Sequence, residues 1–173
     1  NGGRAQVWSL GTDQPWPAAA GAGGGAWAPD GAVIALSLPG KTAVLAYPSG
    51  EVLASRAANG DEELAIDPTG ELVAVAGSPP FLWRWRAGTE EAVDGPDAAR
   101  RVVWSPDGAL VLWQTMGTVS ITARDEAGKA PFSPLPNVST TPSAFTADGT
   151  AFFHTAGDRI FVREARGGAV REE

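Results

Sequence analysis

The sequence holds few side chains that could perform chemistry, and its one histidine, His154, is the first to consider. A catalytic or metal-binding histidine needs partner groups, and the chain has no cysteine that could complete a zinc site. Asp148 and Asp158 are close to it in sequence, but Asp148 belongs to a predicted turn. We therefore interpret His154 as a half-buried strand residue, and we predict no catalytic residue, no metal site and no cofactor.

Three aspartates could be mistaken for calcium ligands, namely Asp30, Asp107 and Asp148. Calcium loops carry several acids at alternate positions, whereas each of these stands alone before a glycine, where aspartate favours a turn. We predict turns at all three positions. The sequence also lacks the Gly-x-Ser-x-Gly pattern of a serine nucleophile, and the glycine run at 21–25 has no lysine to complete a phosphate-binding loop.

Two arginine-containing stretches could recognise a partner. Residues 81–86 alternate Phe, Trp and Trp on one face of a strand with Leu, Arg and Arg on the other, and Trp and Arg are enriched in interface hot spots. The alternative is a third strand whose rings fill a seam between repeats while its arginines pair with acids of a neighbour. We favour this structural interpretation. Arg100 and Arg101 could likewise form a basic spot, but we interpret them as a solvated loop pair.

Strand–turn–strand units must position these residues. In the clearest copy, 102–113, an apolar run enters a Ser-Pro-Asp-Gly turn and a second apolar run leaves it. Proline presets φ at the first corner of such a turn, and glycine accepts the left-handed corner. The unit occurs four times, with turn glycines 39, 38 and 41 residues apart at Gly31, Gly70, Gly108 and Gly149. A second marker, an apolar strand ending near a glycine, runs in phase with the turns, so the sequence predicts a repeat protein.

The burial pattern of the strands predicts the fold class. Residues 72–75 and 110–113 are apolar at consecutive positions, which indicates burial on both faces of a sheet. Four-stranded sheets covered on both faces and repeated at this period are blades of a β-propeller. We predict an all-β fold of antiparallel four-stranded blades in about four repeats, bounded as 26–62, 63–99, 100–141 and 142–173 after a partial blade and Gly/Ala linker at 1–25. Prolines within 130–139 confine the fourth strand of the third repeat to the outer edge, or exclude it.

The motif Trp-Ser-Pro-Asp-Gly at 104–108, followed by an apolar strand that ends in Trp or Tyr, resembles the WD-repeat propellers and their bacterial relatives. In that family the first strand runs into Phe-Ser-Pro-Asp-Gly and the third ends in Trp-Asp. Degenerate forms of the second signature occur at 7–9 and 85–86, and Tyr47 holds this place in the first repeat. No Gly-His dipeptide precedes any repeat, so the hydrogen-bonded tetrad of strong WD repeats is not expected, and related non-WD propellers fit nearly as well.

Composition narrows the class of partner. The formal net charge of −7 argues against nucleic acid, because phosphate binding needs a basic face. No apolar run approaches the roughly 18 residues that would cross a bilayer, so we expect no membrane insertion. The N-terminal piece carries a third-strand marker that the last repeat already possesses. We therefore expect the repeats to form part of a larger ring of about seven or eight blades, either as a fragment or together with another chain.

The propeller resemblance implies a non-catalytic protein–protein interaction or regulatory scaffold module. Propellers bind partners over the face built by the loops that enter each innermost strand and that join the second strand to the third. Seven residues in those loops are the predicted partner-binding residues: Lys41, Asp61, Glu62, Arg100, Asn137, Asp158 and Arg159. The expected partner is another protein or another segment of the same polypeptide, including a second copy that completes a ring. The alternative is a propeller hydrolase or lactonase, or a ligand-sensing domain, and the single histidine disfavours the enzyme.

Overall fold

The structure is a computed structural model that describes residues 7–8, 14–124, 130–139 and 143–172. These residues form four antiparallel sheets of four strands each and one short 3-10 helix, Pro17–Ala19. None of the helical structure in this part of the chain is long enough to span a membrane. The predicted all-β fold with four-stranded blades is therefore confirmed.

Each blade takes its four strands consecutively from the chain, with the first strand innermost. Blade 1 comprises β1 (Gly24–Trp27), β2 (Val33–Leu38), β3 (Lys41–Ala46) and β4 (Val52–Ala57). Blade 2 comprises β5 (Leu64–Ile66), β6 (Leu72–Val75), β7 (Phe81–Arg84) and β8 (Thr89–Ala92). Blade 3 comprises β9 (Arg101–Trp104), β10 (Leu110–Gln114), β11 (Thr118–Ala123) and β12 (Leu135–Pro136). Blade 4 comprises β13 (Ala144–Phe145), β14 (Ala151–Ala156), β15 (Arg159–Glu164) and β16 (Val170–Glu172).

The turn between the first two strands of each blade closes through side chains. The motif aspartates Asp30, Asp107 and Asp148 each accept a hydrogen bond from the backbone N–H two residues later, at 2.9–3.0 Å. Hydrogen bonds from Thr146 and Thr150 lower the pKa of Asp148 to about 2, because they stabilise its charged form. The predicted role of the three motif aspartates as turn residues is confirmed. The glycine that follows each turn has a φ of 69–75°, a conformation that favours glycine.

The blades pack face to face through apolar seams. The forward face of blade 1, with Ala35 and Val44, packs against Trp83 on the rear face of blade 2. The same arrangement continues between blades 2 and 3 and between blades 3 and 4, where Trp113 and Phe152 are fully buried. Burying one such large side chain contributes about 1.5–3 kcal/mol. The second strands of blades 2 and 3 are apolar at consecutive positions because a neighbouring blade packs against each face of their sheets.

The aromatic residues of the strip at 81–86 fill a seam between blades, as predicted. Trp83 and Trp85 are buried in the seam between blades 1 and 2. Of its two arginines, Arg84 pairs with an acid of the neighbouring strand, Glu91 in β8 of the same blade. Arg86 instead lies 4.1 Å from the ring of Trp85. Both arginines are exposed to solvent, where charge is least costly.

The two ends of the array differ from each other. The rear face of blade 1 is covered by Val7, Trp16 and Ala19, and a single bridge joins Trp8 to Pro15. Pro17–Ala19 is a 3-10 helix, and β1 begins inside the predicted Gly/Ala linker. Residues 1–6 and 9–13 of the predicted partial blade lie outside the described residues.

The forward face of blade 4, by contrast, is uncovered. Phe153 and Ile160 are 40% and 62% exposed there. Leu112, which occupies the place of Phe153 in blade 3, is fully buried. The segment Val170–Glu172 forms β16, so blade 4 has all four of its strands.

Candidate partner-binding face

Two connected cavities open at one end of the blades, here called the loop face. It carries the loops that enter β5 and β9 and those that join β2 to β3, β6 to β7 and β10 to β11. A groove of about 1190 Å³ lies between blades 1 and 2, and a pocket of about 320 Å³ lies between blades 2 and 3. Glu63 and Arg100 line both cavities. The cavities therefore form one concave surface shared by three blades.

Backbone contacts hold the loops that shape the groove. Ala58 N–H donates to the carbonyl of Gly40, and Ala99 N–H donates to the carbonyl of Gly77, at 3.2 and 2.8 Å. Gly60 adopts a φ of 88°, and a Cβ there would lie 2.7 Å from the backbone oxygen of Leu38. Only glycine permits this close approach without backbone movement. Backbone contacts therefore hold the loops at the rim of the groove in place.

An arginine-centred network forms one wall of the groove. Arg56 Nε donates to Glu90 at 2.8 Å, and its NH1 group donates to Glu62 at 3.0 Å. Thr42 also donates to Glu62, and the guanidinium lies 4.5 Å from the ring of Phe81. Burial lowers the pKa of Arg56, but the hydrogen bonds to Glu90 and Glu62 outweigh it and leave that pKa above its ordinary value. Glu62 and Glu90 are already paired with Arg56, so this wall stabilises the groove and is not free to bind a ligand.

Glu63 occupies the junction between the groove and the pocket. Burial raises the pKa of its half-buried carboxyl group, while a hydrogen bond from the Val102 N–H and the charge of Arg101 oppose that shift. The hydrogen bond is long, at 3.4 Å, so it stabilises the carboxylate weakly. Desolvation therefore leaves an acid whose negative charge is incompletely compensated.

Asp61 and Arg100 are the exposed charged residues of the groove that have no internal partner. Their side chains make no hydrogen bond or ion pair with any other residue that the structure describes. Their charges can therefore pair with an incoming molecule without breaking an internal contact. Beside them, Pro79, Pro80 and Phe81 supply an apolar wall. Apolar surface with a few unpaired charges is the composition of a recognition site.

The structure brings together three of the seven predicted binding residues. Asp61, Glu62 and Arg100 line the groove. Four do not line either cavity: Lys41 at the start of β3, Asn137 with a φ of 61°, and Asp158 and Arg159 at the turn between β14 and β15.

Sequence reasoning missed Arg56, Glu63 and Glu90. Glu63 stands at the entry of an innermost strand, directly before β5. The position of Arg101 one repeat later could have pointed to it, because both precede the turn glycine by seven residues. No sequence signal joins Arg56 to Glu90, since 34 residues separate them.

His154 lies in blade 4, outside both cavities. It is buried rather than half-buried, with only 2% of its surface exposed. Its ring stacks on those of Phe152 and Phe161, and its Nε2 accepts a hydrogen bond from Arg163 at 2.9 Å. Burial lowers the pKa of His154, and the charge of Arg163 lowers it further. Within the described ranges, no three His, Cys, Asp or Glu side chains are grouped so that they could hold a metal ion.

No protein-family model matches the sequence, and no curated protein matches it either. Many solved structures resemble the chain, and two of them illustrate the likeness. The hydrazine synthase of Kuenenia stuttgartiensis matches 96% of this chain and 52% of its own, with a TM-score of 0.67 and 14% identity. The β-propeller domain of Myceliophteria thermophila Cps50 (Swd1) matches 87% of this chain and 54% of its own, with a TM-score of 0.72 and 15% identity.

At such identities the two likenesses show the fold alone, and the chain spans about half the length of each protein it matches. The order of the sheets and the seams between them agree with this comparison. The described chain consists of four blades of a β-propeller.

Proposed function

We propose that this propeller segment is a non-catalytic interaction module whose loop face binds a segment of another protein. The observation that carries the proposal is the groove of about 1190 Å³, in which Asp61 and Arg100 lie unpaired beside the apolar wall at Phe81. Pockets for small ligands are typically about 300–1,000 Å³ and enclose most of the ligand. The larger, open groove suits an extended peptide better than a small molecule.

The position of the histidine supports a binding role over the hydrolase alternative. A general base must come within hydrogen-bond reach of the proton that it abstracts. His154 lies in blade 4, and its Nε2 already accepts a hydrogen bond from Arg163. The groove is lined by residues of blades 1 and 2 and by Arg100. Recognition through apolar contact and ion pairing is the activity that this lining supports best.

Selection from a random dodecapeptide display library tests the proposal with the chain as the immobilised bait. The site variants are Asp61→Asn and Arg100→Gln. Their matched controls are Glu51→Gln and Arg166→Gln, which change exposed residues in the turns at the opposite end of the blades. Binding of the selected peptides is then measured by fluorescence anisotropy at two salt concentrations.

We expect each site variant to weaken binding about fivefold, which corresponds to roughly 1 kcal/mol for an exposed ion pair. The control variants should leave the affinity unchanged, and added salt should weaken binding to the unmodified chain. If no peptide is selected, or if site and control variants behave alike, the loop face is not the binding surface.

We also propose that the uncovered face of blade 4 packs against a further blade in the functional assembly. Phe153 and Ile160 are exposed on this face, although the corresponding faces of blades 1 to 3 are covered by the next blade. Contiguous exposed apolar surface of this kind marks an interaction site. The additional blade comes from a second copy or from another polypeptide segment.

Native mass spectrometry of the chain distinguishes these sources. A dimer that Ile160→Lys dissociates would identify a second copy. A monomer whose binding of a hydrophobic dye falls in Ile160→Lys would assign the blade to another segment. A monomer whose dye binding does not respond to that change would contradict the proposal.

A further inference from the structure

We propose that the groove recognises a peptide through an arginine or lysine side chain, placed between Asp61 and Glu63. This inference rests on the peptide-binding function proposed above and specifies its ligand. Three features of the groove point to such a ligand: the charges that remain after internal pairing, the environment of Glu63 and the apolar wall beside it.

The charges of the groove lining are not balanced. It contains four acids and two bases: Asp61, Glu62, Glu63, Glu90, Arg56 and Arg100. Arg56 binds Glu62 and Glu90 simultaneously, so that cluster retains one negative charge. Within the groove lining, Asp61 and Glu63 are then opposed by Arg100, and Arg101 opposes Glu63 from the adjoining pocket. The lining as a whole keeps two more acids than bases, which favours a cationic ligand.

The half-buried carboxyl group of Glu63 sets the position of that cation. Its carboxylate accepts the long backbone hydrogen bond from Val102. A cation that enters the groove can supply a charge-assisted hydrogen bond, which is shorter and stronger than a neutral one. Because this site is partly shielded from water, the ion pair is screened less than one on an open surface.

The apolar wall suits the remainder of an arginine or lysine side chain. Phe81 is half-buried, and Pro79 and Pro80 precede it along the groove. Long basic side chains bury their methylene stems on apolar surfaces while their charged heads stay with polar groups. A peptide backbone can lie over the small residues of the floor, which include Ala57, Ala58, Gly77, Ala98 and Ala99. The net charge of −7 also favours encounter with basic segments.

The test uses a matched set of acetylated octapeptides in which one position of an otherwise glycine- and leucine-containing sequence holds Arg, Lys, Gln or Glu. Fluorescence anisotropy measures their binding to the full chain and to Glu63→Gln, Asp61→Asn and the control Glu51→Gln. Glu63→Gln keeps an oxygen that can accept the Val102 N–H, so it removes the charge while retaining that contact. Thermal unfolding of each variant checks that the fold is preserved.

We expect the arginine and lysine peptides to bind at least tenfold more tightly than the glutamine peptide. Glu63→Gln and Asp61→Asn should each reduce this preference severalfold, whereas Glu51→Gln should not. If the glutamine or glutamate peptide binds as tightly and the site variants still weaken it, the groove binds peptides but the cationic specificity is wrong. If no peptide binds, the proposed function itself fails. Equally effective competition by free spermidine would overturn a peptide as the occupant.

Discussion

A buried ion pair between blades 2 and 3 provides the most direct test of how this array is held together. Asp67 is fully buried, and Arg124 donates to one of its carboxylate oxygens at 3.0 Å. The same carboxylate accepts hydrogen bonds from Thr69 and from the backbone N–H groups of Glu71 and Leu72. Arg124 follows the third strand of blade 3, so the contact joins two blades.

The expected cost of Arg124→Met follows from the burial of its partner. Removing one member of a buried ion pair costs about 3–5 kcal/mol, because the remaining charge is buried without compensation. Asp67 keeps three other hydrogen bonds, and the Arg124 side chain is 20% exposed. We therefore expect a loss of about 2–3 kcal/mol in the free energy of unfolding, below the full range for such pairs.

Asp67→Ser is the informative companion variant, because serine and threonine occupy this turn position in other repeats. Ser105 and Thr146 accept the backbone N–H five residues later, as Asp67 does from Leu72. The serine variant therefore keeps the turn while removing the buried charge, and should cost about 1–2 kcal/mol for the lost bonds. Once the carboxylate is absent, Arg124→Met should add little.

Urea denaturation of the four proteins in this double-mutant cycle measures the coupling between the two side chains. We expect a coupling free energy of about 2–3 kcal/mol, close to the cost of Arg124→Met alone and within the range for residues in direct contact. If Arg124→Met costs less than about 0.5 kcal/mol, or if the two changes add within that error, the ion pair does not stabilise the seam between the blades.

Three further predictions test other parts of the structure. Phe152→Ser should lower the free energy of unfolding by about 3–5 kcal/mol, because Phe152 is fully buried. Its neighbour Phe153 is 40% exposed, so Phe153→Ser should lower it by under about 1 kcal/mol, as is usual at exposed sites. The pKa of His154 is lowered in the folded state, so its contribution to stability is fully present above its unfolded pKa near 6.5 and is lost as pH falls toward the folded value. Thermal unfolding at pH 7.5 and 5 should show this loss, and His154→Gln, which keeps an acceptor for the neighbouring arginine, should reduce it. Gly60→Ala should destabilise the chain more than Gly40→Ala in urea denaturation, since both have positive φ but only Gly60 has a backbone oxygen 2.7 Å from the added Cβ.

Each of these has a contrary outcome. Equal costs at positions 152 and 153 would mean that the forward face of blade 4 is covered in the isolated chain. An unchanged pH dependence in the histidine variant would assign the acid sensitivity to other groups. Equal effects of the two glycine substitutions would remove steric contact as the cause.

The turns and the blade period were predictable because the interactions that produce them are local. Ser105 Oγ accepts the N–H of Leu110, only five residues later, and Asp107 accepts an N–H two residues later. Residue types at these short spacings therefore identify the turn. The consecutive apolar positions at 110–113 indicated burial on both faces, because blades lie on each side of that strand.

The charged groove was only partly predictable. Loop positions pointed to Asp61, Glu62 and Arg100, which line it. The sequence did not show that Glu62 is bound by Arg56 while Asp61 is unpaired. Pairing depends on side-chain directions at the rims of two blades, and spacing along the chain does not specify those directions.

By itself the sequence determined the all-β repeat, its turns and the approximate strand positions, since these depend on contacts within a few residues and on apolar patterning. Only the tertiary structure decided that Arg56 meets Glu90, 34 residues away, and that Glu63 joins two cavities. It also decided that Phe152 is buried and Phe153 exposed, although both are phenylalanine. The physical reason is that adjacent strand residues face opposite sides of a sheet, and only the packing of blades determines which side is covered.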